Sequence, residues 1–442
     1  MTAFRIEELR RHSRRPPLAP APPGTVSLAM GEPGFPTPPP VVEAAVAALR
    51  QGHTHYADQK GLPELRAALA ARLPARPGRP WSADDVVVTH GATAALAAVV
   101  LATIGPGDRV VIPEPAYSLY ADLVVFAGGT VDFVPLAPDL HWDLDALAAA
   151  LPGAAMMIFS NPSNPTGIVH TGQELKALGE LLDGTGVLVV SDEAYHRLVY
   201  PGHTLTSALE VESLRERTVY VQTFSKTYAM TGWRVGYLAG PREVVDAAAH
   251  AHRTCAGSLN TVVQHAALAA LDLPDGVVEA MLDGYRRRRD LVVAGLSGIP
   301  GLHLVPPEGA FYGFLRYDAD LPSERVVREL AERKVLVRAG AEYGPSGEGH
   351  VRISFATGED DLRTGLTRLA GATFLRTAQG HPPPGEEAMR TAQDHRPPGG
   401  DAVRTAQDHR PPGGDAVRTA QGHPPPGRDI LRLRLDEGGG VP

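Results

Sequence analysis

Five short apolar runs, separated by segments of helical pattern, constrain the fold of this chain more than any other feature. They are rich in Val and Ile and occupy residues 86–89, 109–112, 156–160, 187–191 and 219–223. Strands that alternate with helices in this way form a parallel sheet with helices on both faces. We therefore expect an α/β fold with a doubly wound parallel sheet and with binding residues at the carboxyl ends of its strands.

The last of these runs leads into a segment that places one lysine among small hydroxyl residues. Lys226 follows Thr223 and Ser225, and Arg234 stands eight positions further on. A lysine forms a Schiff base only as the neutral amine, and a partly buried pocket lowers its pKa. Two hydroxyls and a guanidinium suit a phosphate better than a bare carboxylate. The segment predicts a site for pyridoxal phosphate, although Lys226 alone is equally compatible with a surface lysine in a polar loop.

The run at 187–191 is followed by an acid that the strand would present at its carboxyl end. This acid is Asp192, and Tyr195 lies three residues further on. A carboxylate that faces a pyridine nitrogen keeps it protonated, which makes the ring an electron sink. Tyr195 is placed to donate to the ring oxygen. The alternative for Asp192 is an acidic helix cap after a strand, which is common in α/β proteins.

Two more of the runs lead into loops with a distinctive composition. The run at 156–160 continues as Asn-Pro-Ser-Asn-Pro-Thr-Gly, and the run at 86–89 leads into Gly91, Ala92 and Thr93 before an alanine-rich helix. Backbone amides at such a helix start can bind a phosphate. Together with the Lys226 and Asp192 segments, and in the same order, these loops resemble the class I and II aminotransferases of the fold type I pyridoxal phosphate enzymes. The resemblance covers about residues 26–370.

The resemblance implies a role for each matching residue around the cofactor. Lys226 would carry the Schiff base, Asp192 would face the ring nitrogen, and Asn164 and Tyr195 would bond the ring oxygen. A stacked aromatic ring is expected from Tyr117. The phosphate ligands would be Thr223, Ser225, Arg234 and the amides of Gly91, Ala92 and Thr93.

The resemblance also implies a substrate clamp and a second subunit. Arg352 would bind the substrate α-carboxylate through two hydrogen bonds, and the backbone at Gly31 would close over the same group. Tyr56 would reach the cofactor phosphate of the neighbouring subunit, so a homodimer is expected. For the fold, the resemblance implies a three-layer large domain with a mostly parallel central sheet and a smaller α+β domain.

The activity implied is a ping-pong aminotransferase that passes through aldimine and ketimine intermediates, with Lys226 as the general base. Its substrates would be an L-amino acid and a 2-oxo acid. Fold and motif leave open a lyase, cyclase or synthase that uses the same cofactor, and less readily a ligand sensor without catalysis. Some relatives with dicarboxylic substrates carry a basic residue where this chain has Thr93, and Arg253 is a candidate for that role.

Charge and composition indicate which partners and which cellular location to expect for this chain. The formal net charge is −8, which argues against an obligate nucleic-acid partner. The arginine-rich stretch at 285–290 is expected to be a solvated helix face. Cys255 is the only cysteine, and neither a signal peptide nor a membrane span is evident. A cytoplasmic enzyme of amino acid metabolism, active in biosynthesis, is expected.

Four segments are predicted along the chain. They are an N-terminal arm at 1–40, a large cofactor-binding domain at 41–290, a small domain at 291–374 and a tail at 375–442. In the tail, Arg-Thr-Ala-Gln recurs every fourteen residues from Arg376 onward, and each repeat contains glycines and a Pro-Pro step. This composition predicts disorder. Each repeat also has one histidine without a second ligand at close spacing, so we expect no metal site. Any partner of the tail is unknown.

Overall fold

Strands and helices alternate along the part of the chain that the structure, a computed structural model, describes, namely residues 4–16 and 22–376. The strands are β1 (Val26–Ser27), β2 (Val86–Thr89), β3 (Arg109–Glu114), β4 (Thr130–Pro135), β5 (Met156–Ser160), β6 (Leu188–Asp192), β7 (Thr218–Thr223), β8 (Gly236–Ala239), β9 (Leu302–Leu304), β10 (Tyr312–Tyr317), β11 (Val335–Leu336), β12 (Arg338–Ala339) and β13 (His350–Ser354). The helices are α1 (Phe4–His12), α2 (Pro39–Arg50), α3 (Pro63–Ala70), α4 (Gly91–Thr103), α5 (Leu119–Ala127), α6 (Leu144–Ala150), α7 (Gly172–Leu181), α8 (Glu212–Arg215), α9 (Phe224–Thr227), α10 (Arg242–Ala256), α11 (Thr261–Leu271), α12 (Asp275–Leu296), α13 (Ser323–Glu332) and α14 (Glu359–Ala370).

The central sheet has seven strands in the order β2-β8-β7-β6-β5-β3-β4. Strands β4, β3, β5, β6 and β7 are parallel to their neighbours within this series, which confirms the predicted α/β fold with a mostly parallel sheet. Strand β8 is antiparallel to both of its neighbours. The sequence analysis did not identify β4 or β8. In β8 the run is only four residues long and glycine begins it, so its apolar pattern is weak.

The apolar runs are continuous because both faces of the central sheet are covered. In β5, Met156 and Ile158 belong to one buried cluster, which also contains side chains of α4, α5 and α10. Met157 and Phe159 point to the other cluster, with side chains of α6 and α7. Every residue of β5 is buried as a result. This period of two, with apolar residues on both faces, is what a parallel sheet between two helical layers requires.

The register of the central sheet brings the predicted polar residues to one edge. Ser160 at the end of β5 pairs with Asp192 at the end of β6. Thr223, the last residue of β7, pairs with Gly236 of β8, which pairs with Thr89 of β2. Since α4 begins two residues after Thr89, its first turn lies at the same edge. Function is therefore expected at this edge of the sheet.

A smaller antiparallel sheet carries the predicted substrate arginine. Its order is β12-β13-β10-β9, and Arg352 of β13 pairs with Phe314 of β10 and with Arg338 of β12. Near the N-terminus, β1 pairs in parallel with β11. The division of the chain into arm, large domain and small domain stays a proposal, and the boundary at residue 290 falls inside α12.

The arginine-rich stretch on α12 is only partly the solvated face that the sequence predicted. Arg286 and Arg287 are exposed, but Arg288 is buried and its Nη1 donates to the carbonyl of Ala356 at 2.7 Å. The prediction was wrong for Arg288, because an arginine side chain can be buried when a backbone carbonyl accepts a hydrogen bond from its guanidinium.

Two further predictions concern the tail and the membrane. The repeats lie almost wholly beyond residue 376, outside the described residues, so the predicted disorder and the solvated histidines stay predictions. No helix in the described part of the chain combines the length and the apolar character needed to cross a membrane.

Candidate active site

A cavity of about 720 Å³ opens at the carboxyl ends of β5, β6 and β7. The first turn of α4 forms one wall, and β13 together with the segment around Gly31 forms another. Twelve of the fourteen residues predicted from sequence line it, and these are Gly31, Ala92, Thr93, Tyr117, Asn164, Asp192, Tyr195, Thr223, Ser225, Lys226, Arg234 and Arg352. The fold therefore assembles residues that are more than 300 positions apart in sequence.

Lys226 lies on α9, the single turn that follows β7. Thr223 caps this turn, since its Oγ1 accepts from the Ser225 amide at 3.2 Å. The Lys226 ammonium is partly buried, and its Nζ donates to the carbonyl of Gly31 at 2.7 Å. Burial, and after it the positive charge of Arg352, lower the pKa of Lys226 to about 8. A sizeable fraction of this amine is thus neutral near physiological pH, as a nucleophile requires.

One end of the cavity gathers hydrogen-bond donors. The hydroxyls of Thr223 and Ser225 lie 2.9 Å apart, and the guanidinium of Arg234 lies over the start of α4. A Cβ on Gly91 would come within 2.8 Å of Arg234 Nη2, and one on Gly236 within 2.8 Å of the Ala92 nitrogen. The close approach of β8 to α4 therefore requires glycine. Hydroxyls, a guanidinium and helix amides together suit a dianionic phosphate.

The opposite end holds Asp192, which is buried at the end of β6. Tyr120 donates its hydroxyl to Oδ2 at 2.8 Å, and the amide of Ala194 donates to Oδ1 at 3.2 Å. Burial raises the pKa of Asp192 to about 6, and the hydrogen bond from Tyr120 opposes this rise. The sequence analysis missed Tyr120. It lies in the first turn of α5, three residues after Tyr117, which precedes the helix, so no helical pattern marked it in the sequence.

Tyr195 and Asn164 lie between these two ends. The Tyr195 and Tyr312 hydroxyls are 2.9 Å apart. The backbone amide of Asn164 donates to Ser160 Oγ at 3.1 Å. Tyr312 was also missed from sequence, because an aromatic residue in an apolar strand reads as core. Tyr117 is partly buried, and its ring meets that of Tyr120 edge-on at a centroid distance of 5.6 Å.

Arg352 is a buried cation whose hydrogen bonds are only partly filled. Its Nη1 donates to Asn164 Oδ1 at 3.1 Å and its Nη2 to the carbonyl of Ala29 at 2.5 Å. The guanidinium carbon lies 4.4 Å from the ring centroid of Tyr312. Its Nε is buried without a hydrogen-bond partner. Buried charges are normally paired, so this geometry favours an anionic ligand at Arg352.

The backbone near Gly31 closes the cavity against the small sheet. A side chain at Gly31 would overlap the Tyr312 hydroxyl. Two predicted residues are not part of the lining. Gly91 starts α4 with φ of +75° directly before Ala92, and Tyr56 is 99% exposed.

Arg253 does not line the cavity of its own chain, so its role at a dicarboxylic substrate stays a prediction. Arg253 lies on α10 and hydrogen-bonds to Gln59 and His250. The cavity is instead lined by two cations that the sequence analysis missed. These are Arg15, which lies 3.9 Å from Asp122, and Arg338, which lies 2.6 Å from Glu342.

The chain is similar in sequence and in structure to known proteins. A family model described as aminotransferase class I and II matches residues 23–369. The aspartate aminotransferase of Geobacillus stearothermophilus is 36% identical over 355 residues, which cover 78% of this chain and 90% of that enzyme. The aspartate/prephenate aminotransferase of Thermus thermophilus is 38% identical, with 78% and 90% covered. A solved structure, the aromatic aminotransferase of Pyrococcus horikoshii, matches with a TM-score of 0.77 at 34% identity and covers 84% of this chain and 98% of that one.

Proposed function

Because the chain belongs to the class I and II aminotransferase family, we propose that its cavity moves the amino group of L-aspartate, among other L-amino acids, to a 2-oxo acid. The family match confirms the predicted dependence on pyridoxal phosphate and the predicted aminotransferase activity. One observation carries the assignment of roles. A lysine with a lowered pKa lies between a cluster of phosphate donors, a buried carboxylate and a buried arginine.

The residues at the two ends of the cavity fit the cofactor. When bound, pyridoxal phosphate supplies an aldehyde that links to amines and a ring that withdraws electrons. Thr223, Ser225, Arg234 and the amides of α4 would hold the phosphate, and these groups offer donors without a competing carboxylate. Asp192 would hold the proton of the ring nitrogen. Tyr120 would keep the Asp192 carboxylate in place through its 2.8 Å hydrogen bond.

The side chains between these ends would orient the ring. Tyr195 and Asn164 are proposed to bond the ring oxygen, and Tyr117 to cover one face of the ring. The 2.9 Å hydrogen bond between the Tyr195 and Tyr312 hydroxyls holds the Tyr195 oxygen in place. Asn164 is held by Arg352 through its side chain and by Ser160 through its backbone. Cofactor and substrate contacts are thereby linked through one asparagine.

Lys226 is proposed to act twice. As the neutral amine, Lys226 would hold the cofactor aldehyde, and with a substrate bound its free Nζ would hold and move the proton of the substrate Cα. The lowered pKa suits both tasks, since a general base works best with a pKa near the working pH. The carbonyl of Gly31, 2.7 Å from Nζ, gives this amine a defined resting position.

Arg352 is proposed to bind the substrate α-carboxylate beside the backbone at Gly31. Its unpaired Nε and its burial leave a desolvated positive charge for that purpose. With the carboxylate fixed at Arg352 and the amine near Lys226, the Cα–H bond is the one presented to the lysine. Orientation of this kind selects deprotonation over decarboxylation.

Replacing Arg352 by lysine is expected to raise the KM for the amino acid by about 10–100-fold, because a bidentate charged contact is lost. The loss in kcat should be smaller. Steady-state kinetics on aspartate measures both, and the absorbance of bound cofactor checks that the site is intact. Arg316→Lys is the matched control, since Arg316 lies exposed on the neighbouring strand β10 and pairs with Asp318. An unchanged KM in Arg352→Lys would remove Arg352 from the substrate clamp.

The choice of aspartate rests on the cations that line the cavity and on the relatives. Two relatives are named aspartate aminotransferases or aspartate/prephenate aminotransferases. In this chain, Arg15 and Arg338 supply guanidinium groups that could meet a second carboxylate. Each already has an acidic partner, so a substrate carboxylate would compete with Asp122 or Glu342. This competition favours a donor range that includes neutral amino acids.

Single amino acids added to the loaded enzyme without a 2-oxo acid test the function directly. The visible absorbance of the lysine-bound cofactor should be replaced by that of pyridoxamine phosphate when aspartate is added. Comparison of aspartate, glutamate, phenylalanine and arginine then ranks the donors. Conversion by an aromatic or basic amino acid but not by aspartate would reject the proposed donor. Formation of a new keto or cyclic product without pyridoxamine phosphate would favour a lyase or cyclase.

A homodimer is proposed from the distribution of exposed apolar side chains. The large apolar side chains that stand out as exposed in the described chain are Met30, Val42, Leu49 and Tyr56, all within a span of 27 residues. Met30 also lines the cavity, so a surface that includes Met30 adjoins it. Large apolar side chains that are left exposed commonly mark an interface. A second subunit on this surface could contribute its own Tyr56 to the cofactor phosphate.

Mixed dimers test this exchange of Tyr56. Lys226→Ala subunits should be inactive, and Tyr56→Ala subunits should bind the cofactor more weakly. A hybrid of the two should regain one complete site, with Lys226 from one subunit and Tyr56 from the other. The measurement is activity at limiting pyridoxal phosphate, with the mass of the particle from light scattering. A monomeric protein, or a hybrid no better than Tyr56→Ala alone, would refute the exchange.

The enzyme is further proposed to act in the cytoplasm in amino acid biosynthesis. Support comes from its single, exposed cysteine, Cys255, which is suited to a reducing compartment. Cell fractionation with an antibody against the chain tests the location.

A further inference from the structure

A second cluster of ligating side chains lies away from the active-site cavity. It consists of His141, His170 and Glu174, whose ligand atoms all lie within 4.8 Å of one another. His141 Nδ1 is 3.1 Å from each carboxylate oxygen of Glu174. His170 Nδ1 is 3.4 Å from Glu174 Oε1. Within the described residues this is the one group of three or more such side chains with compatible spacing.

We propose that His141, His170 and Glu174 bind a divalent transition-metal ion of the zinc class, with a water molecule as the fourth ligand. Two imidazoles and a carboxylate are a donor set that zinc accepts. At metal–ligand distances of about 2.0–2.1 Å, neighbouring ligand atoms of a tetrahedral site are about 3.3 Å apart. The two measured separations of 3.1 and 3.4 Å already approach this value. The ligand atoms of the remaining pair, His141 and His170, lie within 4.8 Å of each other.

The surroundings of the cluster hold its ligands in place. The His170 ring is buried and stacks on Trp142 at a centroid distance of 4.3 Å. Glu174 accepts from the Thr171 amide at 2.7 Å and from the Trp142 amide at 3.2 Å. These contacts leave little freedom for the imidazole of His170 or for the Glu174 carboxylate. A preorganised ligand set lowers the entropy that metal binding would otherwise cost.

Glu308 occupies the position of an outer-shell carboxylate. Its Oε1 is 3.7 Å from His141 Nε2, the ring nitrogen opposite the proposed metal ligand, and 3.5 Å from His203 Nδ1. Its Oε2 accepts from the Val169 amide at 2.9 Å. A carboxylate behind a histidine ligand fixes the tautomer and the ring orientation. Glu308 would therefore orient the His141 ring for metal binding without contacting the ion.

The ion would stabilise the loop that carries Asn164. His170 follows that loop directly, and its amide donates to Asn161 Oδ1 at 3.0 Å. The Glu308 amide donates to the carbonyl of Gly167 at 2.9 Å. Metal binding at this cluster does not depend on which amino acid the enzyme uses. It differs from the expectation of no metal site, which considered only the tail histidines. His141 and His170 are far apart in sequence and show no ligand spacing until the chain folds.

Zinc binding by the full-length holoenzyme tests the site. After dialysis against a chelator, the protein is titrated with Zn²⁺ in competition with a chromophoric chelator. The wild type should bind one tight equivalent that His170→Phe and Glu174→Gln lose. Phenylalanine keeps the ring stacked on Trp142, and glutamine can still cap α7. His265→Gln is the control, since His265 lies beside His53, outside the cluster. The tail histidines and Cys255 are present in all four proteins and cancel.

Two further readouts extend the test, and the second needs no variant. Glu308→Gln should weaken zinc binding by about 10–100-fold, as expected for an outer-shell carboxylate. In the wild type, one equivalent of Co²⁺ should give the intense visible absorption of a tetrahedral site. Equal zinc binding by the wild type, His170→Phe and Glu174→Gln, or a cobalt complex without that absorption, would overturn the proposal. The cluster would then be a hydrogen-bonded ion pair in which His141 bridges two carboxylates.

Discussion

Replacing Lys226 by alanine should lower turnover by at least about 10⁴-fold, because in the proposed mechanism one side chain supplies both the bond to the cofactor and the base for the substrate Cα proton. The same change should remove the visible absorbance of the lysine-bound cofactor. Folding should be preserved, since Lys226 is only partly buried and its described hydrogen bond is to the carbonyl of Gly31. Loss of function without loss of structure is therefore the expected result.

Borohydride reduction tests whether Lys226 forms the bond to the cofactor. In the wild type, the reagent should fix the cofactor to the peptide that contains Lys226, and mass spectrometry should detect the added mass. In Lys226→Ala, no peptide should carry it. Lys176→Ala is the matched control, because Lys176 is an exposed lysine of α7 and should leave both rate and labelling unchanged. Substantial turnover by Lys226→Ala, or labelling of another lysine, would contradict the proposed mechanism.

The sequence predicted those parts of the fold that depend on local pattern. Strands β3, β5, β6 and β7 are continuous apolar runs because they are buried on both faces, and each was recognised. Strand β4 was missed because five of its six residues are half-buried or exposed, which gives a weaker apolar pattern. The reversed direction of β8 could not be predicted either. It depends on how the chain returns across the sheet after α9, which no short segment encodes.

Site residues were predictable where they belong to a motif and were missed where they act through another residue. Lys226, Asp192 and Asn164 stand in segments whose composition has a chemical explanation, and the fold brings them into one cavity. Tyr120 and Tyr312 support Asp192 and Tyr195 by hydrogen bonds between distant positions. In sequence, such tyrosines cannot be distinguished from core residues. For Arg253, which lies outside the cavity of its own chain, charge alone did not show which way its helix faces.

Replacing Asp192 by asparagine should lower turnover by about 10³-fold, because the ring nitrogen of the cofactor loses its charged partner. In the cofactor-free protein the same change should raise stability. Asp192 is buried, and burial raises its pKa from 3.8 to about 6. A carboxyl with a raised pKa is harder to ionise in the folded state than in the unfolded state. Asparagine has the same shape and no charge to bury.

The stability difference between the wild type and Asp192→Asn should depend on pH. Between pH 3.8 and about 6, the folded protein holds a proton on Asp192 that the unfolded chain has released. The wild type therefore loses stability as the pH rises through this window, and the loss reaches about 3 kcal/mol above it. The gain from Asp192→Asn should be small below the window and full above it. Urea unfolding of the cofactor-free proteins at several pH values measures the difference.

A surface aspartate provides the control for charge removal as such. Asp272 is 80% exposed, so Asp272→Asn should change stability by the same small amount at every pH. If Asp192→Asn also gave a constant difference, or if it lowered stability at high pH, the carboxylate would be stabilising and its raised pKa would be refuted. A variant that kept the wild-type rate would separately remove Asp192 from the electron-sink role.

Cofactor binding should reverse the order of stability. In the loaded wild type, the Asp192 carboxylate would face a protonated ring nitrogen, so the buried charge acquires a partner and its desolvation is compensated. Asparagine gains no such partner. Pyridoxal phosphate should therefore raise the melting temperature of the wild type more than that of Asp192→Asn, although the cofactor-free wild type is the less stable of the two. The buried Asp192 carboxylate would thus be the part of the fold that is prepared for the cofactor.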